Sequence, residues 1–65
     1  MNFTVACSQP ISFGLFAVNE GSLWKIDGIK YNDNAQESMI HMTECGTDVW
    51  IEIPQKLLAE RFAIA

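Results

Sequence analysis

The side chains best suited to nucleophilic or metal chemistry are one histidine, His41, and two cysteines, Cys7 and Cys45. Cys45 follows His41 by four residues, and along an extended strand this spacing separates the two residues by about 13 Å. A Cys–His dyad would therefore need the chain to fold back between them. Three soft ligands without a Cys-x-x-Cys pair are also too few for a structural zinc site. We expect no enzymatic activity, no metal and no other cofactor.

The secondary-structure element that is predicted most clearly, and that must position any site, lies around Asp27 and Gly28. An Asp-Gly pair readily adopts the positive φ angles of a type I′ turn, and the flanking residues of Leu23–Asn32 are rich in β-forming types. The segment therefore predicts a β-hairpin. Its register places Lys25 directly opposite Lys30, where two like charges repel unless a carboxylate or phosphate of a partner lies near.

Further loops extend this hairpin into a sheet of five to six consecutive antiparallel strands. They are predicted at residues 8–10, 19–22, 33–36 and 45–48. The resulting register aligns apolar residues in one row across the sheet, namely Phe3, Leu15, Ile26, Ile29, Ile40 and Ile53. Gly14 then falls within a strand, as a bulge or a point of close backbone approach. The sequence predicts a single, mainly β domain over residues 1–65, an antiparallel meander curled into a small barrel-like sheet.

The C-terminal segment fits two structures, and either one would cover the apolar face of the sheet. Pro54 suits the first position of a helix, and Leu58 and Phe62 would share one helical face. Alternatively, Pro54–Ala59 forms a tight turn and Arg61–Ala65 is a last strand that closes the barrel.

The face opposite the isoleucine row is predicted to bind a partner, because it combines apolar, cationic and polarisable side chains of the kind found at protein interfaces. His41 lies opposite Glu52, which would stabilise the imidazolium. Trp50 is either an interface anchor or packed under the C-terminal segment. Phe16 belongs either to this surface or, with Val18 and Leu23, to a second small core under the C-terminal segment. The predicted partner-binding residues are Phe16, Lys25, Lys30, Met39, His41 and Trp50.

Charge restricts the class of partner. Eight acidic residues outweigh four basic ones, giving a net charge of −4 and a pI near 4.5. Nucleic acids are normally bound by clustered lysines and arginines, so they are the less favoured partner. No apolar stretch approaches the roughly 20 residues that span a membrane, and the N-terminus lacks the pattern of a signal peptide. We therefore expect a cytoplasmic protein with free thiols and no membrane partner.

The function that these features favour is a small non-enzymatic binding or regulatory protein that docks on a larger cellular or host protein. Compact acidic proteins of this kind include inhibitors encoded by phages and other mobile elements. One alternative is a small-barrel protein that binds nucleic acid through the same surface. Another is a homodimeric structural module, because small domains often gain stability by association.

Overall fold

The computed structural model describes residues 3–65 as one five-stranded antiparallel sheet, a separate two-stranded hairpin and a short helix. In chain order, the elements are β1 (Phe3–Cys7), β2 (Ile11–Phe13), β3 (Phe16–Val18), β4 (Leu23–Asn32), β5 (Glu37–Glu44), β6 (Trp50–Pro54), α1 (Gln55–Arg61) and β7 (Phe62–Ile64). The strand order in the large sheet is β6-β5-β4-β1-β7, and β2 pairs with β3. The prediction of a mainly β, antiparallel fold is confirmed.

The sheet is not closed into a barrel, so that part of the prediction is wrong. Strands β6 and β7 lie at opposite edges, and β7 pairs only with β1 among the residues described. The C-terminal segment contains both predicted alternatives, a helix followed by a strand. Four strand spacings would separate the edges of a flat sheet by about 19 Å, whereas seven helical residues rise only about 10 Å. The short connection through α1 therefore requires a strongly curled sheet.

Strand β4 runs unbroken through Asp27 and Gly28, so the hairpin predicted there is wrong. The register with β5 shifts by one residue at this point, which makes Asp27 the extra residue of a β-bulge. Gly28 does not have the positive φ that a type I′ turn needs. As a result, Lys25 lies opposite Thr43 and Lys30 opposite Met39, and the two lysines do not face each other.

The two-residue hairpin turn lies instead at Gly14 and Leu15, between β2 and β3. Gly14 has a φ of 62°, and a positive φ at the first central position is the requirement of a type II′ turn. The prediction that placed Gly14 inside a strand as a bulge is therefore wrong. Gly14 thus lies in a turn like the one predicted at Gly28, and Gly28 lies beside a bulge like the one predicted at Gly14.

Because β2 and β3 pair with each other, β1 takes the place beside β4 that the meander gave to residues 11–18. Phe3 lies opposite Ile26 and Val5 opposite Trp24. The predicted contact of Leu15 with Ile26 is wrong, and the Leu15 side chain is fully exposed.

The register of the second half of β4 with β5, and that of β5 with β6, agrees with the prediction, whereas the pairing of Trp24, Lys25 and Ile26 with β5 was not predicted. The confirmed pairs are Ile29 with Ile40, Lys30 with Met39, Ile40 with Ile53, Met42 with Ile51, His41 with Glu52, and Thr43 with Trp50. Of the predicted apolar row, Ile26, Ile40 and Ile53 are buried, whereas Ile29 is in register but 69% exposed. The loops at residues 33–36 and 45–48 set this register.

The hydrophobic core lies on one face of the sheet, called here the inner face. Its buried residues are Val5, Cys7, Ile11, Val18, Trp24, Ile26, Ile40, Met42, Ile51, Ile53 and Phe62. The helix covers this face with Leu57 and Leu58, and the β2–β3 hairpin does so with two buried residues at its open end, Ile11 and Val18. Trp24 is only 1% exposed, and its Nε1–H donates a hydrogen bond of 2.8 Å to Ser22 Oγ.

Both cysteines are free thiols, Cys7 in the core and Cys45 on the surface. Burial raises the pKa of the Cys7 thiol, whose Sγ donates to the Gln9 carbonyl oxygen at 3.0 Å. The one helix described within residues 3–65 is too short and too polar for a membrane span.

Candidate functional site on the outer face of the sheet

The second face of strands β4 to β6, called here the outer face, carries side chains that point away from the core. They are Lys25, Asp27, Lys30, Met39, His41, Thr43, Trp50 and Glu52. Within residues 3–65, the elements that pack on the sheet do so through the inner-face core. The outer face is therefore available to another molecule.

The most distinctive contact on this face is a stack between the rings of Trp50 and His41. Their centroids lie 5.0 Å apart and their planes are inclined by 23°. The two residues are diagonal neighbours, since Trp50 lies opposite Thr43 and His41 opposite Glu52. Trp50 is 58% exposed, so the alternative that packed it under the C-terminal segment is wrong. The stack holds a large apolar ring at the surface in a defined orientation.

Besides the stack on Trp50, the imidazole ring of His41 is held by Asp27. His41 Nδ1 hydrogen-bonds to Asp27 Oδ1, and Thr43 Oγ1 donates to Asp27 Oδ2 at 2.8 Å. Because an ionised carboxylate can only accept, the contact assigns the proton to Nδ1. The sequence prediction that His41 pairs with Glu52 is correct for the strand register, but the hydrogen-bonding partner is Asp27.

The bulge explains why Asp27 can do this. An extra residue in one strand bends the ladder and redirects a side chain, here over the neighbouring strand toward His41 and Thr43. Gly28 lies directly opposite His41, and a Cβ added to it would lie 3.4 Å from the His41 Cβ. A side chain at position 28 would therefore be in direct van der Waals contact with His41.

The hydrogen bonds of Asp27 also predict a response to acid. The hydrogen bond from His41, and then that from Thr43, lower the pKa of the Asp27 carboxyl below its ordinary value of 3.8. Since the folded-state pKa is lowered, this contribution to stability is complete above about pH 3.8 and is lost as the pH falls through the folded pKa.

Carboxyl chemical shifts followed by NMR should therefore give Asp27 a midpoint below 3.8. The D27N variant should lose this part of the acid dependence of stability. A midpoint at or above the ordinary value would show that the two hydrogen bonds do not persist in solution.

An aspartate that orients a histidine is also part of hydrolytic triads, so its chemical capacity must be considered. A triad needs a nucleophile on the second ring nitrogen. Among residues 3–65, no hydroxyl or thiol hydrogen-bonds to His41, and the Thr43 hydroxyl is committed to the carboxylate. No group of three potential metal ligands lies together in this part of the chain. The arrangement acts as a clamp on the histidine ring.

The two lysines lie on either side of this clamp. Lys25 lines a shallow polar cleft of about 220 Å³ together with Asp27 and the loop around Cys45. Lys30 lies opposite Met39, on the far side of the bulge. The outer face thus has an aromatic centre with one amino group toward each end of β4.

Phe16 is not part of this surface. It lies next to the turn of the β2–β3 hairpin, where its ring stacks on that of Phe13 with centroids 6.2 Å apart. Val18 is buried in the main core, so neither residue belongs to a second small core. The structure brings together five of the six predicted residues on the outer face, namely Lys25, Lys30, Met39, His41 and Trp50.

Asp27 and Thr43 are the residues that sequence analysis missed. One feature of the sequence does point to them. The β-type alternation of Trp24 and Ile26 resumes at Ile29 and not at residue 28. In a continuous strand this one-residue break in period indicates a bulge.

No protein-family model matches the chain, and neither curated proteins nor solved structures give a match.

Proposed function

We propose that this is a non-enzymatic binding protein that docks on a larger protein through its outer face. The observation that carries the proposal is the exposed Trp50 ring held against His41. Tryptophan is enriched among the residues that dominate binding energies. An anchor already fixed in the free protein loses less side-chain entropy when a partner binds.

The orientation of Trp50 depends on a series of side-chain contacts that begins at the bulge. Asp27 holds His41 through Nδ1, Thr43 holds the second carboxylate oxygen, and Trp50 stacks on the imidazole ring. Each group in this series is oriented by another side chain on an adjacent strand. Such support is what a binding site needs to keep its geometry.

The residues around Trp50 indicate the chemistry of the partner surface. Met39 adapts its shape to an apolar surface, and Lys25 and Lys30 supply amino groups toward the two ends of β4. The complementary surface would be an apolar pocket for Trp50, flanked by carboxylates. Nucleic acid is the second candidate, but Asp27 and Glu52 share this face with the lysines, and a phosphate backbone favours a surface without such acids.

The test uses two exposed apolar residues as a matched pair. A partner captured from the native host is identified by mass spectrometry and purified, and its Kd is measured for wild type, W50A and L15A by calorimetry. W50A should weaken binding by roughly 30-fold or more, equivalent to about 2 kcal/mol. L15A, which truncates a fully exposed side chain on the separate hairpin, should bind like wild type.

Two outcomes would overturn the proposal. Equal affinities of W50A and wild type would show that the outer face is not the interface. A Kd that rises steeply with salt, together with loss of capture after nuclease treatment, would show that the partner is nucleic acid.

A further inference from the structure

Strand β4 is paired on both sides over only part of its length. It pairs with β1 from Leu23 to Ile26, whereas its pairing with β5 continues to Asn32. Within residues 3–65, the part of β4 beyond the bulge therefore has no strand on the β1 side. An unpaired strand edge presents backbone donors and acceptors that an extended chain can satisfy.

The hydrogen-bonding alternation identifies which backbone groups these are. The Leu23 carbonyl oxygen accepts from Cys45 N–H at 2.9 Å, so the backbone N–H and C=O groups of Leu23 are directed toward β5. Alternate residues of an antiparallel strand point to opposite sides, and the bulge at Asp27 shifts the alternation by one. The N–H and C=O groups of Ile29 and Tyr31 are thus directed away from β5. The stretch from Ile29 to Tyr31 is called here the open edge.

The side chains of the open edge have a definite pattern. Ile29 and Tyr31 are 69% and 58% exposed and lie on the inner-face side, beyond the area covered by α1 and the hairpin. Beside Ile29 is a cavity of about 220 Å³ that is also lined by Phe3, Ile26, Asp27 and Gly28. Lys30, between them, points to the outer face. The edge therefore alternates apolar, cationic and apolar.

We propose that the open edge binds an extended segment of a partner protein by strand addition. An acidic residue of that segment lies opposite Lys30, and apolar residues lie opposite Ile29 and Tyr31. Cross-strand apolar pairs and opposite charges each stabilise such pairing, and the backbone hydrogen bonds supply much of the affinity. This site shares Lys30 with the Trp50 surface, but it does not depend on Trp50.

Charge also distinguishes this partner from a second copy of the chain. In the two-fold register that places Ile29 opposite Tyr31, two copies would also place Lys30 directly opposite Lys30 of the second copy. Like charges in that position are destabilising. An acidic residue of a different chain turns the same position into an attraction.

The experiment is a charge-swap matrix with two short blocked peptides, Thr-Val-Glu-Val-Thr and Thr-Val-Lys-Val-Thr, titrated into ¹⁵N-labelled protein. Wild type should bind the glutamate peptide about three- to fivefold more tightly than the lysine peptide. The shifted amides should include Ile29 and Tyr31, with slower hydrogen exchange. K30E should reverse the preference. K25E is the matched control, since Lys25 lies where β4 already pairs with Thr4 of β1, and it should leave the preference unchanged.

Three results would overturn the inference. One is a peptide preference that K30E does not reverse. Another is protection of the Ile29 and Tyr31 amides in the free monomer, which would mean that the edge is already covered. The third is a concentration-dependent dimer in sedimentation that protects these amides, which would assign the edge to a second copy. Because W50A should retain peptide binding, failure of the outer-face proposal remains distinguishable from failure of this one.

Discussion

The W24A variant should lose much or all of its folding stability at 25 °C. Trp24 is the largest fully buried side chain of the core, and removing a buried aromatic ring costs about 3–5 kcal/mol. Typical stabilities per residue give a domain of 65 residues a total of roughly 3–10 kcal/mol. The substitution therefore removes much or all of the stability. Circular dichroism and urea unfolding would show a lost or strongly shifted transition.

The matched control is the same substitution at the other tryptophan. Trp50 is 58% exposed and its ring stacks on that of His41 at the surface, so W50A should keep a cooperative transition close to that of wild type. If W50A destabilised the protein as much as W24A, the outer face would have to be part of a core. If W24A unfolded with the wild-type midpoint, the burial of Trp24 would be wrong.

Deleting Asp27 should leave the fold intact, although the deletion lies in the middle of the longest strand. Asp27 is the extra residue of the bulge, and β4 pairs with β5 in regular order on either side of it. Without it, Ile26 and Gly28 become consecutive opposite Met42 and His41, and the inward and outward alternation of the strand is kept. The deletion also removes the carboxylate that holds His41 and Thr43. A dispersed NMR spectrum should therefore persist while nuclear Overhauser effects between the His41 and Trp50 rings weaken.

The control is deletion of Lys25, two residues earlier in the same strand. There, Trp24 would directly precede Ile26, and adjacent strand residues point to opposite faces. One of these two core side chains would leave the inner face, and this variant should unfold. Loss of folding on deletion of Asp27, or its retention on deletion of Lys25, would contradict the bulge and the register assigned to β4.

The register that joins the second half of β4 to β5, and β5 to β6, could be predicted because it depends on local features. The loops at residues 33–36 and 45–48 join neighbouring strands, and alternation of residues such as Ile51 and Ile53 fixes which face is buried. A loop of given length and a period of two leave little freedom. Four of the six predicted partner-binding residues, Lys30, Met39, His41 and Trp50, share the outer face for the same reason. Lys25 also lies on this face, but it was placed there by the hairpin at Asp27 and Gly28, which is wrong.

The N-terminal half could not be predicted in the same way. Both Gly14 and Gly28 are flanked by β-forming residues, so each is compatible with a turn and with a position inside a strand. The choice depends on what each arrangement buries. With the turn at Gly14, the β2–β3 hairpin separates from the sheet and places Ile11 and Val18 over the core, while β1 pairs with β4 and buries Val5.

The candidate site, like the fold, could be predicted only in part. Alternation along each strand, together with the lengths of the loops at residues 33–36 and 45–48, placed Lys30, Met39, His41 and Trp50 on one face, because both features are local. The role of Asp27 was decided by the tertiary structure, since β4 continues through the Asp-Gly pair only when β1 and β5 flank its first half. The segment first expected to be a two-residue turn is then part of an extended strand. Its extra residue, Asp27, contacts His41.

By itself, the sequence determined an antiparallel β protein, its inward and outward alternation, and the pairing of strands joined by short loops. The tertiary structure decided which strands without a direct connection become neighbours, because that choice depends on burying one shared core. It also decided that the sheet stays open, since β7 adds to β1 at the edge opposite β6. The open edge of β4 and the clamp on His41 both follow from these non-local pairings, which no short segment of the chain encodes.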